Sequence, residues 1–288
     1  MSKEKITAYI KSSRRYIGYF IIASTVLAFA WYIKTQPDAL NPLKSTPLYL
    51  IPLLLGLYGL FLVTNFFITA ITITMSNKTY PLKDSLMLTL YSTLVNFFGP
   101  LQSGPGFRAV YLKKKIGLSI KDYTLATMLY YGAFLAISLV MMFGISYPLA
   151  TLGVLVVLGV AGAWFFRSQK AATLIRNTVV IGTVTLAQLL IVALLYYLEL
   201  RATGYHPSLA STLTYTGSAN LALFVAFTPG AIGIRESFIY FSQSLHHIPT
   251  EHILSAGLLD RSIYLVFLGI LFVISSSLHI NKKLRKVT

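Results

Sequence analysis

Long apolar runs separated by short polar breaks dominate the chain. Six of them, at about 16–33, 47–75, 122–146, 148–166, 174–200 and 252–280, approach or exceed the roughly 20 residues that a helix needs to cross a bilayer core. Two more apolar runs break off early. Residues 86–98 amount to about 20 Å of helix, short of a core of about 30 Å, and then meet Gly99-Pro100 and Gly104-Pro105-Gly106. Residues 209–227 are longer but crowded with Ser211, Thr212, Thr214, Thr216, Gly217, Ser218 and Asn220, and they end at Thr228-Pro229-Gly230. Both read as first arms of re-entrant hairpins, at about 85–117 and 209–246. Broken backbone at membrane depth is tolerated only where protein buries it or a wet cavity faces it. The predicted fold is all-α and polytopic: about six spanning helices plus two re-entrant helical hairpins, in one integral membrane domain over 1–288.

Charge placement orients this pattern. With the N-terminus in the cytoplasm behind Lys3, Lys5, Lys11, Arg14 and Arg15, nineteen of the 24 Lys and Arg residues fall on the inner side or at its edge. If residues 86–98 spanned instead, Lys113-Lys114-Lys115 would face outward, against the positive-inside rule. The expectation is a multi-pass protein of the cell (inner) membrane with both termini cytoplasmic.

The order helix, helix, hairpin, helix then occurs twice, over about 1–147 and 148–288. Gly106-Phe107-Arg108 and Gly233-Ile234-Arg235 occupy matching places 127 residues apart, and Ala126 and Leu129 match Ala256 and Leu259 at 130. The spans 16–33 and 148–166 run in opposite directions, so the repeats are inverted and their hairpins enter from opposite faces. Carriers with alternating access are built in this way, with the binding site at the repeat interface.

The hairpin breaks hold the candidate chemistry. Pro100, Gly104 and Gly106 in the first, and Pro229, Gly230 and Gly233 in the second, interrupt the helix and let backbone approach a ligand. A short helix after each break would aim free N–H groups at it. Arg108 and Arg235 add planar guanidinium groups suited to a lipid phosphate, unless each caps a neighbouring helix or snorkels to the interface. Glu236, Asp260 and Arg261 form a gate or an ion-pair set with Arg235, because unpaired intramembrane charge is costly. Tyr130-Tyr131 take the places of Asp260-Arg261 in the first half, so the second hairpin is the more polar. Asn96, Gln102, Ser103, Ser218 and Asn220 are positioned to bond a headgroup or to satisfy broken backbone. Glu199 and Arg201 read as an interfacial pair.

Composition narrows the classes. Hydrophobic residues make up 56% of the chain and charged ones 11%, with mean hydropathy +0.70, which excludes an ordinary soluble domain. The net charge of +16 belongs to membrane topology and anionic lipid rather than to nucleic acid. The chain has no cysteine, so disulfides and thiolate chemistry are excluded. His246, His247 and His252 lack the i, i+4 spacing of helical metal ligands, and no metal or other cofactor is expected. No nucleotide-binding motif is present, which leaves downhill equilibration and coupling to protons or membrane potential.

Two stretches carry a family resemblance. Residues 96–117 (NFFGPLQSGPGFRAVYLKKKIG), with Leu118-Ser119 after them, form the first. Residues 228–236 (TPGAIGIRE), continuing to Ala256-Gly257-Leu258-Leu259-Asp260-Arg261, form the second. They resemble the two signatures of the lysylphosphatidylglycerol synthase transmembrane region. This flippase-like family includes the membrane domain of the multiple peptide resistance factor. The resemblance implies a membrane domain that moves an aminoacylated or otherwise modified phospholipid between leaflets. Arg108, Arg235, Glu236, Gly106, Pro229, Gly230 and Gly233 fall on its motif positions. In bifunctional members a soluble aminoacyltransferase domain follows the membrane region, whereas eight residues follow the last run here. The expectation is therefore a stand-alone membrane domain and not an enzyme, even where homology suggests a phosphatidylglycerol lysyltransferase. The first motif also departs at Gln102-Ser103, which lengthen the break and bear on headgroup preference.

The leading functional expectation is a translocase for a phospholipid or polyprenyl-phosphate lipid, with Arg108 on the inner phosphate and Arg235 on the outer. A membrane enzyme would have only Ser103, Glu236 and Asp260 as reactive groups. A non-catalytic partner would recruit a separate lipid synthase or glycosyltransferase through the basic loop and tail.

Overall fold

The computed structural model describes residues 46–98, 103–167, 171–225, 231 and 233–284. The span expected at about 16–33 lies outside them, as do Pro100, Gln102, Pro229 and Gly230. Among the described residues the protein is helical throughout, with no strand. In chain order the helices are α1 (Leu50–Met75), α2 (Leu82–Phe98), α3 (Gly104–Ile116), α4 (Ile120–Phe143) and α5 (Pro148–Phe165), then α6 (Ala171–Ala202), α7 (Leu209–Ala222), α8 (Ile234–Phe241), α9 (Gln243–His246) and α10 (Thr250–Leu284). Five of them, α1, α4, α5, α6 and α10, are long and apolar enough to cross a membrane.

The short arms differ from their expected bounds. The first begins four residues earlier, at Leu82, because Pro81 directly precedes its first turn and its carbonyl accepts from Ser85 N at 2.9 Å. The second ends at Ala222 rather than near 227. Its hydroxyl-rich sequence still folds as helix. Ser208 caps it by accepting from Ser211 N, and Thr212 and Thr216 return their hydroxyls to carbonyls four residues back at 2.9 and 2.7 Å. With 17 and 14 residues, α2 and α7 reach about 26 and 21 Å.

The packing pairs have an internal correspondence. Exchange α1 with α6, α2 with α7, α3 with α8 and α4 with α10, and the neighbours persist. Thus α1–α2 answers α6–α7, α2–α3 answers α7–α8, α1–α4 answers α6–α10, α4–α7 answers α2–α10, and α3–α4 answers α8–α10. These are the helices that the sequence offsets of 127 and 130 align.

Between helices in lipid, close packing rather than water exclusion provides the attraction, so small residues decide how near two backbones come. At Gly217 on α7, an added Cβ would lie 2.5 Å from Met142 N and 2.6 Å from Ser138 O of α4. Both obstacles are backbone, so neither can rotate away. Gly217→Ala is expected to destabilise the protein by about 1–3 kcal/mol, through the strain of overpacking. Thermal unfolding of the detergent-purified variant checks this, and an unchanged midpoint would contradict the close α4–α7 contact.

Below the second hairpin, His246 is fully buried. Its Nε2 faces Ile239 O at 3.0 Å, and its Nδ1 accepts from Ile248 N at 3.1 Å. The ring therefore ties α8 to the loop before α10. Among the described residues no group of three His, Cys, Asp or Glu side chains is placed to hold a metal.

Candidate functional site

A cavity of about 740 Å³ lies between the two hairpins and is walled by α1, α2, α3, α4, α6, α7, α8 and α10. Arg108, Arg235, Asp260 and Arg261 all line it, with Asn65, Asn96 and Asn220 as carboxamides and Tyr130 and Tyr131 among its aromatic walls.

The first hairpin is closed by its own polar groups. Asn96 Oδ1 accepts from Gly104 N at 3.2 Å, and Ser103 Oγ donates to Val95 O at 3.1 Å. A Cβ on Gly104 would meet Ser92 O at 2.9 Å, so the glycine is what lets the two arms touch. Gly106 has open space where a Cβ would go and borders the cavity. Pro105 suits the first turn of α3, where its missing N–H removes no helix bond. At the other end Gly117, with φ +63°, accepts the left-handed turn that ends α3 beside Lys113, Lys114 and Lys115.

Arg108 is 9% exposed. Its Nη1 donates to Thr69 Oγ1 at 3.0 Å, while its Nε has no partner. Among the described residues no carboxylate pairs with it. Arg235 also reaches a hydroxyl on the helix before its hairpin, with Nη1 donating to the Tyr196 hydroxyl at 3.4 Å. In both cases the acceptor stands 39 residues earlier in the chain. Thr69 and Tyr196 are therefore 127 residues apart, the offset of the two Gly-x-Arg motifs.

Beyond that shared contact the hairpins diverge. Arg235 Nη2 sits 2.5 Å from Asp260 Oδ2, and Glu236 lies 3.8 Å from its Nε. Arg261 clasps Glu236 through both Nε and Nη2, with the Nε contact at 3.1 Å. Glu236 also accepts from Gly233 N at 2.8 Å, which caps α8 where Gly233 turns at φ +81°. The Tyr58 hydroxyl donates to Asp260 from α1. Asp260 stands ten residues beyond Thr250, about 15 Å along α10 and inside the apolar stretch Thr250–Ser275 that is long enough to cross a membrane. At that depth the ion pairs avoid the large cost of isolated charge. In the first half Tyr130 and Tyr131 stand where Asp260 and Arg261 do, and Tyr130 donates instead to Gln188 of α6 at 3.1 Å. With that substitution, no carboxylate among the described residues pairs with Arg108.

Other polar residues divide between structure and cavity. Ser218 is fully buried within the second hairpin, donating to Phe238 O at 2.9 Å and accepting from Ser242 Oγ at 2.7 Å. Of the two roles open to it, a headgroup contact or a structural bond to the backbone, these contacts fit the second, since both join α7 to the α8–α9 segment. Asn220 lines the cavity, is 3% exposed, and its Nδ2 has no partner. Among the described cavity-lining residues, the buried polar atoms that make no hydrogen bond are all donors: Arg108 Nε, Asn220 Nδ2 and Arg235 Nε, the last 3.8 Å from Glu236.

A model of the lysylphosphatidylglycerol synthase TM region matches residues 16–271. The chain belongs to that family. The matched region accounts for the bulk of the chain. The family is associated with lipid metabolism, so this is a multi-pass membrane domain of that context. No curated protein matches the chain.

Glu199 does not sit at the interface as its sequence position suggests. Glu199 is 1% exposed and faces inward, while Arg201 is exposed and donates to the Tyr197 hydroxyl at 3.2 Å. The two do not form an interfacial pair, because their side chains leave α6 on different sides. No motif marks Glu199, and only the packing of α6 reveals its burial.

Proposed function

We propose that this domain is a lipid translocase whose cavity receives an anionic phosphodiester headgroup at Arg108 while the acyl or prenyl tails stay in lipid. The observation that carries the reading is the buried guanidinium of Arg108, which no carboxylate pairs among the described residues. A cation held inside a membrane domain without a carboxylate is poised for an anion, and a guanidinium matches phosphate oxygens in a two-pronged way. Asn220 supplies a second donor in the same cavity. The Arg235–Asp260 and Arg261–Glu236 pairs serve as a gate: they hold the second hairpin closed and open to admit or release the headgroup.

The architecture supports the same reading. The first arms, about 26 and 21 Å long, fall short of a core of about 30 Å, and the packing pairs persist when the halves are exchanged. We take the hairpins as re-entrant and the halves as inverted repeats, in a cell membrane with both termini cytoplasmic. Movement of the headgroup needs no covalent step, so the domain acts as a carrier rather than as an enzyme. A separate lipid synthase or glycosyltransferase would supply the lipid.

Because the chain has no cysteine, a single Thr93→Cys in the cavity wall gives one label site. Water-soluble maleimide should modify it, and glycerol phosphate should slow that modification where glycerol does not. A cysteine that reacts equally with and without the phosphate would contradict the anion site.

A further inference from the structure

Glu199 is the buried ionisable group that the translocase reading leaves unused. It lies on α6 one turn beyond Tyr196, and neither of its carboxylate oxygens has a hydrogen-bond partner among the described residues. The charged and titratable groups around it come from several helices: Tyr58 from α1, Tyr215 from α7, Arg235 from α8 and Asp260 from α10, with Tyr196 on its own helix. The fourth neighbour, α4, meets α6 through Tyr130 and Gln188, about three turns from Glu199. The cation that interacts with Glu199, Arg235, is already bound to Asp260.

A carboxylate in this position is accommodated as the neutral acid. As an anion it would need a partner, and the available one is Arg235. The charge balance of the cavity makes this consequential. Three arginines, Arg108, Arg235 and Arg261, line it, and two carboxylates, Asp260 and Glu236, pair with them. Among the described residues one positive charge, that of Arg108, is left over. An ionised Glu199 would compete with Asp260 for Arg235, and it would bring the net charge of these six side chains to zero.

We infer that Glu199 is a proton-binding site linked to the headgroup site. With Glu199 protonated, the cluster carries one net positive charge and takes a monoanionic phosphodiester. With Glu199 ionised, the cluster is neutral and the anion is released. Proton and headgroup therefore strengthen each other's binding, as linkage requires of any coupled pair. One proton accompanies one monoanionic headgroup, and the loaded site is electrically balanced. The step is a simple transfer of a proton between water and the Glu199 carboxylate, with no bond formed elsewhere. This inference rests on the translocase reading and adds its energy coupling, since a proton gradient would then drive a lipid across.

The test measures binding of phosphatidylglycerol to the purified full chain in phosphatidylcholine nanodiscs at pH 6 and pH 8. Wild type is expected to bind at least about tenfold tighter at the lower pH, and Glu199→Gln to keep the tighter affinity at both. Glu199→Asp should restore the pH dependence. A second measurement needs no variant: wild type in weak buffer should take up protons as phosphatidylglycerol binds, and none as phosphatidylcholine is added. Affinity that is independent of pH, equal pH dependence in the Gln variant, or binding without proton uptake would each overturn the proton site alone. Wild type that binds no phosphatidylglycerol at either pH would overturn it together with the translocase reading.

Discussion

Arg108→Ala is expected to slow translocation of an anionic lipid by about tenfold to a hundredfold while the protein stays folded. A hydrogen bond to a charged group contributes about 1.5–3 kcal/mol, which sets that range. The stability side of the prediction is as informative as the loss. Arg108 is a buried cation whose bond within the protein is to Thr69 and whose Nε is free. Removing it relieves a desolvation cost and abandons no carboxylate, so the melting temperature should hold or rise. Arg108→Lys should retain part of the activity, because it keeps the charge and loses the planar fork. Had Arg108 served as a helix cap, the alanine variant would lose stability and activity together. Rates in reconstituted vesicles and melting curves in detergent separate the two outcomes.

Asp260→Asn is expected to have the opposite profile. It removes the negative charge 2.5 Å from Arg235 and leaves one acceptor oxygen where two had served Arg235 and the Tyr58 hydroxyl. Breaking a buried pair on one side costs about 3–5 kcal/mol, enough to unfold much of a marginally stable protein. The compensated variant Arg235→Met with Asp260→Leu removes both charges and should recover most of the lost stability, but should not open normally. A double-mutant cycle on melting free energies measures the coupling. Asp260→Asn that melts like wild type would show that the pair does not hold the second hairpin.

The contrast between these two arginines could be read only in part from the sequence. Both sit in the same Gly-x-Arg context, and glycine, proline and arginine inside apolar runs stand out in any membrane chain. Chain order also marks Tyr130-Tyr131 as the counterparts of Asp260-Arg261, which already makes the second hairpin the more polar. What the residues alone do not give is who reaches whom. The bond from Arg108 to Thr69 spans 39 positions and depends on how α3 leans on α1. Ser218 and Asn220 are two residues apart and look interchangeable in sequence. Helical rotation sends the first into the α7–α8 contact and the second into the cavity. Glu199 carried no signal, because a glutamate near the end of an apolar run usually meets water, and its burial follows from helices distant in the chain. The close backbone approach at Gly217 was equally hidden, since small residues in apolar helices serve many packing roles.

The central claim is that an anionic headgroup crosses the membrane through this cavity by way of Arg108. The most direct test reconstitutes purified protein in phosphatidylcholine vesicles that carry a trace of fluorescent phosphatidylglycerol, with a membrane-impermeant reductant added outside and equal pH on both sides or an imposed gradient. Wild type should expose the label well beyond the outer-leaflet half, and Arg108→Ala should stay close to half over the same interval. Wild type that leaves the inner half protected under every gradient, or an Arg108→Ala variant that moves lipid as fast as wild type, would contradict the account.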